Sequence, residues 1–276
     1  MIVETKRGSV YTYKVELAKE KLYKKLPAVT RLISGARGSN LEDILSSEDI
    51  IRKIADLGRI SEKEIYNRIK SESDLLELID LGLEAYGQEK GIYSIEGVAV
   101  IRDKKAVILL GQSRAGKSTA AYYLKDYFSI GGDEHLLLTY KDNTPYFIGG
   151  NRYSFTKPWN KNKGIVDFGE DSNLEAQIVG FVTLKLNNFM DSKDKVIISK
   201  EEPDHLTYTL NDLTSQKIRG INKYLGQIEF PLPSVDSEST AINRVEFCKK
   251  IKYVPFIFYE GNEINLKAVV EDLLNT

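Results

Sequence analysis

At 276 residues, with 42% hydrophobic and 29% charged side chains, the chain is long enough for one large α/β domain plus a smaller module. Its 39 Lys and Arg against 40 Asp and Glu leave a formal net charge of −1, so no basic field draws nucleic acid to it. The single cysteine, Cys248, excludes an internal disulfide; with no signal-type apolar stretch after Met1 and no run of membrane-spanning length, a cytoplasmic chain without nucleic-acid or membrane partners is expected.

Residues 9–17 alternate apolar and polar side chains as a half-buried strand does. From Asn40 the period becomes helical: Leu41, Ile44 and Leu45 follow an Asn40 cap, and Ile50, Ile51, Ile54 and Leu57 extend the stripe to Gly58. Ser61-Glu-Lys-Glu64 forms a capping box for a helix over 65–69, and Ser73 opens another that carries Leu75, Leu76, Leu78, Ile79 and Leu83. Residues 40–86 therefore read as a helical module, with a gap over 87–91, and the chain divides at that gap into 1–90 and 91–276. A strand over 98–101, a turn at 103–105 and a buried strand over 106–110 follow.

That strand runs into Gly111-Gln-Ser-Arg-Ala-Gly-Lys-Ser-Thr119, and a helix over 118–127 follows. The order strand, G-x-x-x-x-G-K-S, helix is that of a phosphate cradle. Gly111, Ser113, Ala115 and Gly116 shape the loop, and the backbone amides of Ser113 to Ser118 are expected to converge on phosphate oxygens in front of the positive helix end. Lys117 adds a mobile charge for the phosphates, and Ser118 has the hydroxyl position that holds Mg²⁺ between β- and γ-phosphates. With Thr119, these residues read as a site for ATP or another nucleoside triphosphate. Tyr122, Tyr123 and Tyr127 follow helical spacing and read as core and interface packing residues, not a base-stacking platform.

Next comes a short strand over 128–133 that ends in the acid pair Asp133-Glu134. Two adjacent acids at a strand end can serve a metal and an attacking hydroxyl, although strand alternation directs them oppositely. His135 stands at the mouth of a second apolar strand over 136–138, where it reads as a hydrogen-bonded structural residue or a proton-transfer assistant. Hairpin-like strands divided by 141–145 precede a long loop over 151–173, in which Asn151, Arg152, Lys157, Trp159 and Lys161 are weaker candidates for acceptor or nucleotide contacts. Strands over 178–186, 196–199 and 206–210 follow, with His205 in a loop, then helices over 211–225 and 239–250, a strand over 254–259 and a helix over 265–274.

Glu96-Gly-Val-Ala-Val100, the 106–119 strand and loop, and Gly132-Asp-Glu134 together resemble the HPr kinase/phosphorylase family, itself related to PEP carboxykinase, over about residues 92–140. The resemblance implies an α/β P-loop kinase domain of the HPr kinase C-terminal type, a mixed sheet with flanking helices, joined to the N-terminal helical module. It implies Mg-dependent transfer of the γ-phosphoryl of ATP to a hydroxyl of a small metabolite or a protein serine. Asp133 would be the base or a metal ligand, Glu134 a metal or neighbouring ligand, Ser118 the hydroxyl on Mg²⁺, and residues 40–86 and 151–173 would choose the acceptor.

Two positions depart from that family. Glu96 replaces a histidine, which removes a group that titrates near neutrality and argues against the reverse, phosphorylase reaction; a carboxylate there serves a second cation, a base or only the surface. Arg114 replaces a loop glycine, and its guanidinium lies over the γ-phosphate or points to solvent. The rival expectation is a nucleotide-gated binding protein without kinase turnover. Decarboxylating chemistry of the PEP carboxykinase kind is not expected in so short a chain without further metal ligands.

Overall fold

A computed structural model describes residues 3–4, 12–13, 47–68, 81–82, 84–85, 87–133, 136–150, 153–156, 164–167, 175–186, 196–216, 218–219 and 234–276. The chain divides into two compact units, Met1–Tyr93 with Asn211–Glu246, and Ser94–Leu210 with Phe247–Thr276.

In the first unit β1 (Val3–Glu4) pairs antiparallel with β2 (Thr12–Tyr13); the rest of the alternating 9–17 segment lies outside the described residues. Helix α1 (Ser47–Gly58) buries Ile54 and Ala55. It ends at Gly58, where the apolar stripe stops, and Arg59 just beyond takes the left-handed conformation (φ 53°). The bonds Ile60 N–H to Ala55 O (3.0 Å) and Arg59 N–H to Asp56 O (3.3 Å) close a Schellman motif around it. Helix α2 (Glu62–Arg68) starts as its capping box requires, with Ser61 Oγ accepting from the Glu64 amide at 3.2 Å. The helical pattern over 41–46 and most of the helix opened by Ser73 lie outside the described residues. Residues 87–89 are helical, so Gly87 belongs to a helix and not to a gap.

The division between units falls inside β3 (Ile92–Ile95). In the second unit β4 (Val98–Arg102) and β5 (Lys105–Leu110) form a hairpin whose two turn residues, Asp103 and Lys104, both have positive φ (53° and 61°), the handedness that matches strand twist. Helix α3 (Lys117–Leu124) follows the glycine loop, and then β6 (Ser129–Asp133). Next, β7 (Leu136–Lys141) and β8 (Thr144–Gly150) turn through Asp142 and Asn143, again both at positive φ. The segment expected to be a long loop contains an antiparallel pair, β9 (Tyr153–Thr156) and β10 (Gly164–Asp167), each rich in aromatic or β-branched residues. Then come β11 (Ala176–Leu186) and the edge strand β12 (Ile197–Lys200).

Helix α4 (Pro203–Ser215) replaces the strand expected over 206–210. Leu206, Tyr208 and Leu210 alternate as a strand would, but Pro203 is suited to a helix start, and the buried residues Leu206 and Leu210 are four apart on one helical face. Helix α5 (Glu238–Ile251) opens on a reciprocal box: Ser237 Oγ accepts from Thr240 N–H (3.2 Å), and Thr240 Oγ1 accepts from Ser237 N–H (2.9 Å). Strand β13 (Phe256–Gly261) and helix α6 (Glu263–Asn275) close the chain.

Among the described residues, nine strands form one mixed sheet in the order β3-β7-β8-β11-β5-β4-β6, with β13 on β11 and β12 on β13. β11 runs parallel to both β5 and β13, and β4 runs antiparallel to both β5 and β6. Strands β5, β6, β11 and β13 therefore all end at one edge, where β4 begins. On one face Val98, Val107, Leu109, Val182 and Leu184 pack with Ala120, Ala121 and Leu124 of α3 and with Leu266, Val270 and Leu273 of α6. Each large aliphatic side chain buried there contributes about 1.5–3 kcal/mol, which fixes both helices to the sheet.

Candidate functional site

At the end of β5 the chain wraps tightly. Gly111 (φ 155°) and Gly116 (φ 94°) occupy backbone conformations that L-residues rarely adopt. Space reinforces the requirement. A Cβ on Gly111 would lie 2.8 Å from the Leu184 carbonyl oxygen, and one on Gly116 would lie 2.8 Å from the Leu186 side chain. Inside the loop, Ala115 N–H donates to Gln112 O at 3.1 Å, closing a turn in which only the third residue, Arg114 (φ 69°), is left-handed, the pattern of a type II turn. The Ala115 amide is thus committed to the loop itself, which narrows the expectation that all amides from Ser113 to Ser118 face outward.

Helix α3 begins without a side-chain cap and without an acid in its first turn. The amides of Lys117, Ser118 and Thr119 have no acceptor within the helix and carry its positive end. Helix α6 is finished differently: Asn262 Oδ1 accepts from Asn265 N–H at 3.0 Å, and Glu263 stands in its first turn. Lys117 folds back so that Nζ donates to Gly111 O at 2.7 Å and to Gln112 O at 3.1 Å. Ser113 and Thr119 are exposed, as is Arg114 at the apex, while Ser118 is half-buried.

Asp133 reaches the same edge by register. Val98 pairs with Leu109 on one side and with Asp133 on the other, so Asp133 stands two strands, about 10 Å, from the residue that precedes the end of β5. Directly paired residues share a face, which puts Asp133 on the α3 side of the sheet. A register shift between Ala99 and Val100 sets this orientation. Ile130 and Asp133 are three apart and would face opposite ways in a regular strand; the extra residue, Gly131, brings both to one face. A Cβ on Gly131 would lie 2.6 Å from Ile101 Cδ1 and from Phe147, so the bulge requires glycine. The Asp133 side chain is 1% exposed. Glu96 is exposed in the turn before β4 and so belongs to this edge as well.

No protein-family model matches the chain, and no curated protein matches it. Among solved structures it is similar to the Hpr(Ser) kinase/phosphatase from Coxiella burnetii, at 15% identity and a TM-score of 0.34, over 66% of this chain and 93% of that one. The fold is a mixed α/β one with a curled mixed sheet and flanking helices.

The remaining candidates separate by environment. Tyr122 and Tyr127 are 55% and 49% exposed and lie under Lys125 and Lys267 at 4.9 and 4.2 Å, so they are not core residues; Tyr123 packs against the core, and Leu124 is fully buried in it. Burial, with Tyr127 and Glu263 beside it, pushes the Tyr123 phenol up. His205 lies on α4, not in a loop, with Nδ1 2.8 Å from Glu201 Oε2. Glu134, His135, Asn151, Arg152, Lys157, Trp159 and Lys161 lie outside the described residues. Among the described residues no cluster of three or more His, Cys, Asp or Glu forms a metal site, and no helix is long and apolar enough to cross a membrane. Sequence reasoning missed the β11 wall behind the loop. Gly131-Gly132 ahead of Asp133 was the available signal for the bulge.

Proposed function

We propose that this chain is a Mg-dependent phosphotransferase that moves the γ-phosphoryl of ATP to a hydroxyl on a small metabolite or a protein serine. The observation that carries the reading is the uncapped start of α3 behind a glycine loop, at the edge where Asp133 shares a face with that helix. Gly111, Ser113, Arg114, Ala115, Gly116 and Thr119 form the nucleotide cradle, and Lys117 exchanges its bonds to Gly111 O and Gln112 O for phosphate oxygens. Hard oxygen donors suit magnesium, and Ser118 and Asp133 at this edge, with Glu134 next in sequence, are the residues that would hold it. When bound, the ion neutralises charge on the β- and γ-phosphates. Asp133 or Glu96 accepts the proton as the acceptor oxygen bonds to phosphorus, and the bridging bond breaks with its electron pair left on ADP.

Labelled ATP, magnesium and a metabolite pool test the proposal. A labelled product is expected from the native chain, none from Lys117→Ala, and about 10²–10⁴-fold less from Asp133→Asn with ATP binding retained. Full activity of Asp133→Asn removes that acid from the mechanism. The near-complete burial of Asp133 favours one alternative, a nucleotide-gated binding protein. Binding of ATP with neither product nor phosphate release would select it.

A further inference from the structure

The phosphate loop does not hold its shape alone. Eight residues that include two glycines at positive φ lose much conformational freedom on wrapping. Inside the loop the main-chain bond is Ala115 N–H to Gln112 O, and Lys117 adds its side-chain bonds. The external hold comes from the end of β11. Leu186 N–H donates to Ala115 O at 2.9 Å, and the Leu186 side chain fills the space that a Cβ on Gly116 would need. One residue pair earlier, Leu184 presents its carbonyl to Gly111. Leu186 also packs against the core shared by α3 and α6, so it joins the loop to that core.

From this geometry we infer that Leu186 is a positioning residue that keeps the loop wrapped before nucleotide arrives, so that triphosphate affinity depends on a side chain that touches no phosphate. The inference rests on the nucleotide-binding reading above. A loop that is wrapped only part of the time binds more weakly in proportion to that fraction, so truncating the brace raises the apparent Kd without altering the contacts to phosphate. The main-chain bond from Leu186 and its Cβ survive truncation to alanine; the Cγ and Cδ1 that also face Gly116 do not.

The test titrates Mg·ATP, and separately Mg with inorganic tripolyphosphate as a probe lacking the base, into the native chain and into Leu186→Ala, Leu186→Met and Val179→Ala. Val179 is the control: it lies on the same strand and packs against the same core, away from the loop. Expected is an about tenfold rise in Kd for both probes in Leu186→Ala, recovery in Leu186→Met, and native affinity in Val179→Ala despite a comparable fall in Tm. Should Leu186→Ala fail to fold, Leu186→Val removes part of the wedge and is expected to raise Kd severalfold. Unchanged Kd in the folded Leu186 variants, or an equal rise in Val179→Ala, overturns the inference while nucleotide binding stands. A native chain that binds neither probe overturns the nucleotide reading itself.

Discussion

Arg244 in the first unit and Arg114 in the second illustrate two opposite uses of a cation. Arg244 is 2% exposed and commits its guanidinium to Asp236 (2.6 and 3.1 Å), Gln88 Oε1 (2.9 Å) and Asn211 Oδ1 (3.3 Å). Gln88 then donates to Thr214 O at 2.6 Å, and Thr240 donates to Asp236 at 3.0 Å. This network joins residues 88, 211–214 and 236–244 and is spent on structure. Arg114 is exposed on a strained turn beside a bare helix start. Polar groups that answer one another inside a unit report on folding; donors and charge kept on a costly backbone point to a ligand.

The largest expected effect breaks the first cluster. Arg244→Met leaves Asp236 and Gln88 without their partner and lowers unfolding free energy by about 3–5 kcal/mol, read by urea denaturation. Nucleotide binding of the molecules that remain folded is expected to stay native. Gly116→Ala breaks the second cluster: φ 94° and the Leu186 contact cost about 1–3 kcal/mol, and titration should show Mg·ATP binding lost at temperatures where circular dichroism is native.

An alkaline titration sharpens the contrast without touching either arginine. Burial, then Glu263, pushes the Tyr259 phenol up to about 12 from 10.0, with the Leu266 main chain opposing. A raised folded-state value means that the stability tied to this group is whole below about pH 10 and is lost as pH climbs toward 12. Tm should fall through that window in the native chain and fall less in Tyr259→Phe. The smallest effect has the opposite sign: Arg114→Gly relieves the left-handed conformation and changes stability by at most about 1 kcal/mol in the favourable direction, while Mg·ATP affinity declines.

How much of this could be read from sequence depended on range. The strand–loop–helix from 106 to 124, the Ser61 box and the ending strand and helix are local patterns, each set by neighbours within a few positions. The error at 206–210 arose where alternation and four-residue spacing are satisfied by the same leucines, and burial chose the helix. Residues 153–156 and 164–167 pair across a separation that no periodicity reports. The same limit hid Leu186, which meets Gly116 only because β11 lies beside β5 in one register. Asp133 stood out as one of an acid pair at a strand's end, but its face was decided by a single bulged residue.

The enclosure of Asp133 carries a kinetic consequence on the proposed function. A carboxylate buried on the outermost strand, β6, cannot meet a hydroxyl that diffuses in from bulk water, so the second reactant finds that acceptor only after the first has rearranged the edge. Initial-rate patterns should then show compulsory order, ATP leading, and a pre-steady-state lag that shortens when the protein is preincubated with Mg·ATP.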